Sequence, residues 1–286
     1  MIAASPTPRY DRIVSLVLLV LLGLAVVFLI DINPNILRAR LGGDLPVITV
    51  SWLLIASLVI IASTGADVFI RAHPQMQTRS LPTLRLGPLA LELAPGFWIL
   101  PSFAIVASFA FFRLFSATLE MTAFIIALAA AGTLLLAALL GQHYALDRRP
   151  EVARAARLGL QAITMLLAFG IFSAVYYARL RTLYSAALIG STGTLLAYAL
   201  LQWSSQRSLL LLACMVGLTL AEATWALNYW AAPFLMGGAL LLVIFYVTTG
   251  LLQNHLEGSL TRRVIVEYAL LGAGLFVAVL IAVFRY

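Results

Sequence analysis

The sequence predicts an all-α, polytopic transmembrane helical bundle of about nine spans, and three observations carry that prediction. Hydrophobic residues make up 63% of the 286 residues and the mean hydropathy is +1.04. A water-soluble fold of this length cannot hide that much apolar surface. The apolar residues fall in runs close to the roughly 20 residues that a helix needs to cross a bilayer core of about 30 Å. Short loops bearing arginine separate the runs, and the chain contains no lysine. Backbone amides in lipid must be bonded within their own segment or in a closed barrel, and these runs lack the alternation of barrel strands.

Arg9 and Arg12 precede the first run, Ile13–Ile30. A signal peptide begins the same way, but no small-residue cleavage pattern follows in Asp31-Ile-Asn-Pro-Asn, so an uncleaved first helix is expected. A loop with turns at Asn33-Pro34-Asn35 and Gly42-Gly43 leads to the second run, Val47–Val68, near whose end Asp67 stands four residues before Arg71, the spacing of a helical ion pair. Residues 70–95 form the longest stretch between spans. Within it Thr83 to Leu93 alternates around Gly87-Pro88, the pattern of a small hairpin or of an extended segment on the membrane surface. A two-stranded hairpin alone is marginal in water and needs a partner or the interface.

The third run, Gly96–Phe112, is short, and Pro95 and Pro101 punctuate its start. It is counted as a span, with a kinked or re-entrant segment as the alternative, which would leave eight full spans. The fourth run is Ala117–Leu140, and the four arginines from Arg148 to Arg157 then precede the fifth, Leu158–Tyr177. The sixth is Leu183–Trp203 and the seventh Leu209–Trp230. The seventh holds Cys214, the one cysteine, read as a small packing residue that leaves no intrachain disulfide or cysteine metal cage. The tight link Ala231-Ala232-Pro233 makes the eighth run, Pro233–Leu252, an antiparallel neighbour of the seventh. The ninth is Val264–Phe284, where Glu267 in the first turn complements the helix dipole. Small residues recur on three spans: Ala127, Ala131, Gly132, Ala137 and Gly141; Ala186, Gly190, Gly193 and Ala197; Gly272 and Gly274. Such faces let helices approach closely and associate through dispersion contacts, here within the bundle. No internal repeat of the transporter kind is visible. The chain reads as a single integral membrane domain over 1–286, with no stretch long enough for a soluble domain.

With the N-terminus placed inside, arginines divide 12 to 6 in favour of the inner face. The bias predicts a cytoplasmic N-terminus and, for nine spans, an external C-terminus. Trp52, Trp98, Trp203 and Trp230 fall near span ends, where amphipathic rings prefer the headgroup layer. The net charge of +7 comes from arginine alone. It fits loop anchoring and contact with anionic lipid headgroups rather than nucleic acid. Arginine to the exclusion of lysine suggests a GC-rich bacterial genome and hence a bacterial cytoplasmic membrane.

Glu222 is the most informative polar residue. It lies some 20 Å along the seventh span, in the outer third of the bilayer. A charged acid there costs about 2–3 kcal/mol unless it is paired, wetted or protonated. Thr219, Glu222, Ala226 and Tyr229 share a stripe that can face the bundle interior, and Thr194, Tyr198 and Gln202 form an i, i+4, i+8 stripe on span six. Glu222, Thr219, Tyr229, Thr194, Tyr198 and Gln202 are thus the candidate intramembrane polar site. The carboxylate would handle a proton or ligand, or serve as a structural acid. Arg113, Glu120, Arg179 and Arg181 near the outer span ends form a candidate charge cluster that could pair with it.

His73, His143 and His255 each follow an even-numbered span and so share the cytoplasmic face in this topology. A three-histidine metal site lacks its usual support, since no two stand at i,i+3 or i,i+4 and no H-E-x-x-H occurs, so no metal is expected. No histidine lies within a span to hold haem or to serve as base for Gly190-Ser191-Thr192-Gly193, a fragment like an intramembrane serine protease site. Walker, Rossmann and paired-aspartate prenyl-transfer motifs are missing, and no cofactor is expected.

Leu227-Asn-Tyr-Trp-Ala-Ala-Pro through Phe245-Tyr246, then Gly250-Leu-Leu-Gln-Asn-His, then Arg262-Arg263 to Glu267-Tyr268 span the C-terminal third. This stretch resembles uncharacterised multi-pass bacterial membrane proteins grouped as a domain of unknown function. The resemblance implies a bacterial membrane protein and nothing about activity. Short loops, few buried ionisable groups and no catalytic set favour a non-enzymatic membrane component that assembles with or supports another membrane protein. The alternative is a small-solute or proton-coupled transporter using Glu222. A third reading is a lipid-modifying enzyme using the cytoplasmic histidines with nearby acids. The expected partners are the lipid bilayer and another membrane protein.

Overall fold

The computed structural model describes residues 9–32, 38–39, 48–77, 83–86, 89–92, 95–115, 121–203, 209–230 and 233–285. In chain order these form α1 (Tyr10–Ile32), β1 (Arg38–Ala39), β2 (Ile48–Thr49), α2 (Val50–Arg71), α3 (Pro74–Gln77), β3 (Thr83–Leu86), β4 (Leu89–Glu92), α4 (Pro95–Phe115) and α5 (Met121–Tyr144). They continue with α6 (Pro150–Tyr177), α7 (Thr182–Leu201), α8 (Leu209–Leu227), α9 (Phe234–Leu256) and α10 (Arg262–Arg285). Among the described residues, eight helices are long and apolar enough to cross a membrane: α1, α2 and α4 to α9. The chain is a multi-pass membrane protein, and α10 covers the ninth apolar run.

Three of the runs differ from the sequence reading for identifiable reasons. The third run is one continuous helix of 21 residues, long and apolar enough to cross a membrane. Pro95 occupies its first position, where a missing N–H costs nothing, and Gln142 answers for Pro101: its buried Nε2 donates to the Phe97 carbonyl at 3.1 Å, the group that residue 101 would otherwise serve. The helix of the fifth run, α6, starts at Pro150, eight residues before the expected Leu158. Its start carries Pro at N1, Glu151 in the first turn, and an Asp147 Oδ1 that accepts the Arg149 amide at 3.0 Å. Its arginine-bearing segment is therefore the first turns of a helix, with Arg154 and Arg157 exposed. The second helix begins at Val50 rather than Val47, because Ile48 and Thr49 pair with Ala39 and Arg38 as a short strand. The expected start of the fourth run, Ala117, lies outside the described residues, and α5 covers the run from Met121. The expected hairpin is present: β3 and β4 pair antiparallel with Leu86 opposite Leu89 and Leu84 opposite Leu91.

The chain divides into two compact units, residues 1–163 and 164–286, with the boundary inside α6. In the first, α2 packs on α1 and α4, and α5 packs on α1 and α4. Gly23 lies against Leu58 and Gly132 against Leu21, so α1 meets α2 and α5 at close range. Phe28 stacks on Phe112 at 3.5 Å between ring centroids and meets the edge of Phe124 at 6.0 Å. A polar seam joins α2 to α4. Asp67 pairs with Arg71 as expected, Trp98 Nε1 donates to Asp67 Oδ1 at 3.1 Å, and the Ser63 and Ser102 hydroxyls lie 2.8 Å apart. Lipid tails are as apolar as leucine, so close fit and such bonds, rather than escape from water, hold the helices together.

In the second unit α7 and α8 form the most extensive helix pair. The small face foreseen on span six makes it. Ala186, Gly190, Gly193 and Ala197 are buried, and a Cβ on Gly190 would stand 3.0 Å from the Gly217 carbonyl oxygen and 3.1 Å from Ala221 Cβ. The α9 glycines Gly237 and Gly238 lie against Tyr176 and Ser173 of α6, beside an edge contact of Phe172 with Phe245. The Tyr176 hydroxyl is 2.9 Å from the Leu227 carbonyl oxygen and 3.0 Å from that of Trp230, where α8 ends and its last carbonyls need donors.

Candidate functional site

The α8 face that packs on its unit consists of Ala213, Val216, Gly217, Leu220 and Thr224. Small residues there admit α7, which turns the opposite stripe outward. Leu211, Met215, Leu218, Glu222, Trp225 and Tyr229 are exposed, Tyr229 at 83%. The expectation that Thr219, Glu222, Ala226 and Tyr229 face the interior is thus corrected: all four are exposed. Cys214 lies on the same outer face and is not a packing residue. The Thr219 hydroxyl donates to the Met215 carbonyl within its own helix at 3.0 Å, and Trp225 Nε1 reaches the Tyr229 hydroxyl at 3.4 Å. Glu222 therefore sits as a carboxylate amid leucine, methionine and tryptophan on a surface that the unit itself does not cover.

The second stripe belongs elsewhere. Thr194 Oγ1 donates to the Gly190 carbonyl at 2.9 Å and faces Gly217, so it is part of the α7–α8 contact. Tyr198 is half-buried, and Gln202 caps the end of α7 and donates to the Ala199 carbonyl at 3.0 Å. Gly190 packs at the level of Gly217 and Ala221. Tyr198 and Gln202 then lie about 12 and 18 Å further along α7, away from Glu222 in this antiparallel pair. The six residues do not form one site.

Of the charge cluster, Glu120 lies outside the described residues. Arg113 belongs to the first unit, its guanidinium 5.8 Å from the centre of the Trp52 ring. Arg179 and Arg181 belong to the second, where both are exposed. Arg179 takes a left-handed backbone conformation (φ 45°) just past the end of α6, the position at which a helix reverses.

The histidines likewise divide between the two units. His73 and His143 meet edge to face at 4.8 Å between ring centroids and are 4% and 6% exposed. His255 is exposed in the second unit. No group of three metal-ligating side chains occurs among the described residues. The backbone amide of Gln75 donates to His73 Nδ1 at 3.2 Å, which leaves Nε2 as the N–H of the neutral ring. Burial, then His143 and Arg148, hold the His73 pKa below its usual 6.5 against an opposing pull from Asp147. A histidine whose folded pKa is depressed stabilises the fold while neutral. That contribution is complete above about pH 6.5 and falls away as pH drops towards the folded value. Thermal unfolding in mild detergent should show the wild type losing stability between about pH 7.5 and 5. His73→Gln should lose less, and an equal loss would exclude this origin.

Sequence reasoning missed the pairing of His73 with His143 and their proximity to Arg9 and Arg12, which line the same cavity. The available signal was positional: two basic residues open the first span, and single histidines close the second and fourth. Gln142, the side-chain amide that serves the helix containing Pro101, was missed as well.

A sequence profile for a family described as a protein of unknown function (DUF5656) matches residues 32–282. No curated protein matches the chain, and no solved structure does.

Proposed function

The chain belongs to the DUF5656 family of proteins of unknown function, and we propose that it is a non-enzymatic membrane subunit that assembles with or supports another membrane protein through the outer face of α8. The observation that carries this is Glu222 exposed on an apolar helix face. It lies five residues, about 8 Å, from the end of α8. An ionised carboxylate facing lipid at that depth costs about 2–3 kcal/mol, and a partner offering a cation or hydrogen-bond donor removes the cost. A second copy docked symmetrically about Glu222 would bring two carboxylates together, so the fitting partner is a different chain. It would carry arginine, lysine, histidine or an amide at the matching depth. The arginine bias supports a cytoplasmic N-terminus, and composition supports a bacterial cytoplasmic membrane. The transporter reading needs its carboxylate on an interior path, and an outward Glu222 lends it no support. The lipid-enzyme reading needs three histidines together, and the contact that supports it joins His73 and His143 alone among the described residues.

Photo-reactive residues placed at Leu218 and Trp225 in native membranes test this. One and the same protein should be captured from both positions, and Glu222→Leu should reduce capture about tenfold or more, with Glu222→Gln intermediate. Capture unchanged in Glu222→Leu, or a chain that leaves native membranes alone, would overturn the reading.

A further inference from the structure

A cavity of about 630 Å³ opens in the first unit where α1 begins and α2 and α5 end. We propose that it binds a phosphate-bearing anion, gripped at the mouth by Arg9 and Arg12. The charge pattern comes first. Arg9 and Arg12 are three residues apart, at the spacing that puts side chains on one helical face. Both are exposed, and neither pairs with a carboxylate among the described residues. Asp11 lies between them in sequence but does not line the cavity, and among the described residues no other acid does. Two guanidiniums without a carboxylate present forks that match phosphate oxygens and stay charged at every physiological pH. His73 and His143 line the same cavity, and the neutral His73 ring keeps an Nε2–H to donate. Thr64 also lines the cavity, but its hydroxyl donates to the Ile60 carbonyl of its own helix, so the anion is left to the arginines and His73.

The remaining wall decides between sources of phosphate. Ile13, Leu16, Val68 and Leu139 make it apolar. A free phosphate ion has no use for such a surface, whereas a lipid can lay the upper part of a chain along it with its headgroup at the arginines. The volume falls within the range of roughly 300–1,000 Å³ of small-molecule sites. The site lies in the other unit from Glu222, so it stands or falls apart from the partner reading.

The test is native mass spectrometry of the full chain released from phosphatidylcholine nanodiscs doped with phosphatidylglycerol, beside thermal unfolding with inorganic phosphate. Wild type should retain one phosphatidylglycerol, and Arg9→Gln with Arg12→Gln should cut retention about tenfold. Arg154→Gln, which removes an exposed arginine outside the cavity, should leave retention unchanged. Ala72→Trp fills the cavity at an exposed lining position and should also abolish retention. Stabilisation by inorganic phosphate that needs Arg9 and Arg12, without lipid retention, would assign the site to free phosphate. Retention equal in the double variant, or lost equally in Arg154→Gln, would reduce it to general lipid attraction and overturn the proposal.

Discussion

Gly217→Leu should abolish folding of the unit formed by residues 164–286, while Gly217→Ala should cost it about 2–3 kcal/mol. A Cβ on Gly217 overlaps both Thr194 Oγ1 and the Gly190 carbonyl oxygen. The threonine can rotate away only by giving up its bond to that same carbonyl, and the carbonyl is backbone and can retreat only if α7 moves bodily. Because dispersion at close range is what joins helices in lipid, moving α7 weakens the largest contact of the unit. Thr194→Ala removes one overlap of the two and should rescue Gly217→Ala only in part. Gly274→Ala is the control. A Cβ there meets nothing within 4 Å, so the change should stay within about 0.5 kcal/mol. Thermal unfolding in mild detergent, read by the loss of the monodisperse species, ranks the four variants. A Gly217→Leu chain that melts with the wild type would mean that the α7–α8 contact does not hold the unit.

The small face on span six was legible because Ala186, Gly190, Gly193 and Ala197 recur at helical spacing, and that periodicity survives without knowledge of the partner. That Gly217 receives it was overlooked. Ala213, Gly217 and Ala221 recur at the same four-residue spacing and mark the face of α8 that meets α7. Glu222 was accordingly assigned to the interior, on the sound ground that lipid penalises charge. The packing needs of Gly217 and Leu220 won, because a helix has one orientation and the contact of α8 with α7 is the largest of the unit. The hairpin at Thr83–Leu86 and Leu89–Glu92 was legible from alternation about a turn dipeptide, which is local. The early start of α6 was legible too, in Pro150 and Glu151, but the arginines between them and the apolar run read as loop. Length rulers locate the apolar part of a helix and stay silent about turns that project beyond the membrane. The cavity at Arg9 and His73 was illegible for a different reason: its residues come from three helices, and only antiparallel packing brings a first turn beside two last ones.

Gln142→Ala should destabilise the unit formed by residues 1–163 by about 3 kcal/mol, and Pro101→Ala should absorb much of that loss. Gln142 is fully buried on α5, and its Nε2 is the donor that the Phe97 carbonyl receives from α5 in place of the N–H that Pro101 lacks. Alanine at 142 removes that donor and leaves a void, whereas Gln142→Leu removes the donor and keeps most of the volume, so it should cost about 1–2 kcal/mol. In a Pro101→Ala chain, residue 101 regains an amide that can close the helical bond to Phe97. The proline-free background should therefore bring the leucine variant close to its parent, a coupling of about 1–2 kcal/mol between positions 101 and 142. Gln142 Oε1 sharpens the point: it is buried with no hydrogen-bond partner among the described residues. An amide kept in hydrocarbon with one end unsatisfied is a poor choice unless its other end meets a need, and in the proline-free background leucine should equal or exceed glutamine. The four chains compared by thermal unfolding in one detergent give the cycle. Additive losses would mean that Gln142 stabilises through packing alone and that α4 tolerates Pro101 unaided, as a gentle kink in lipid.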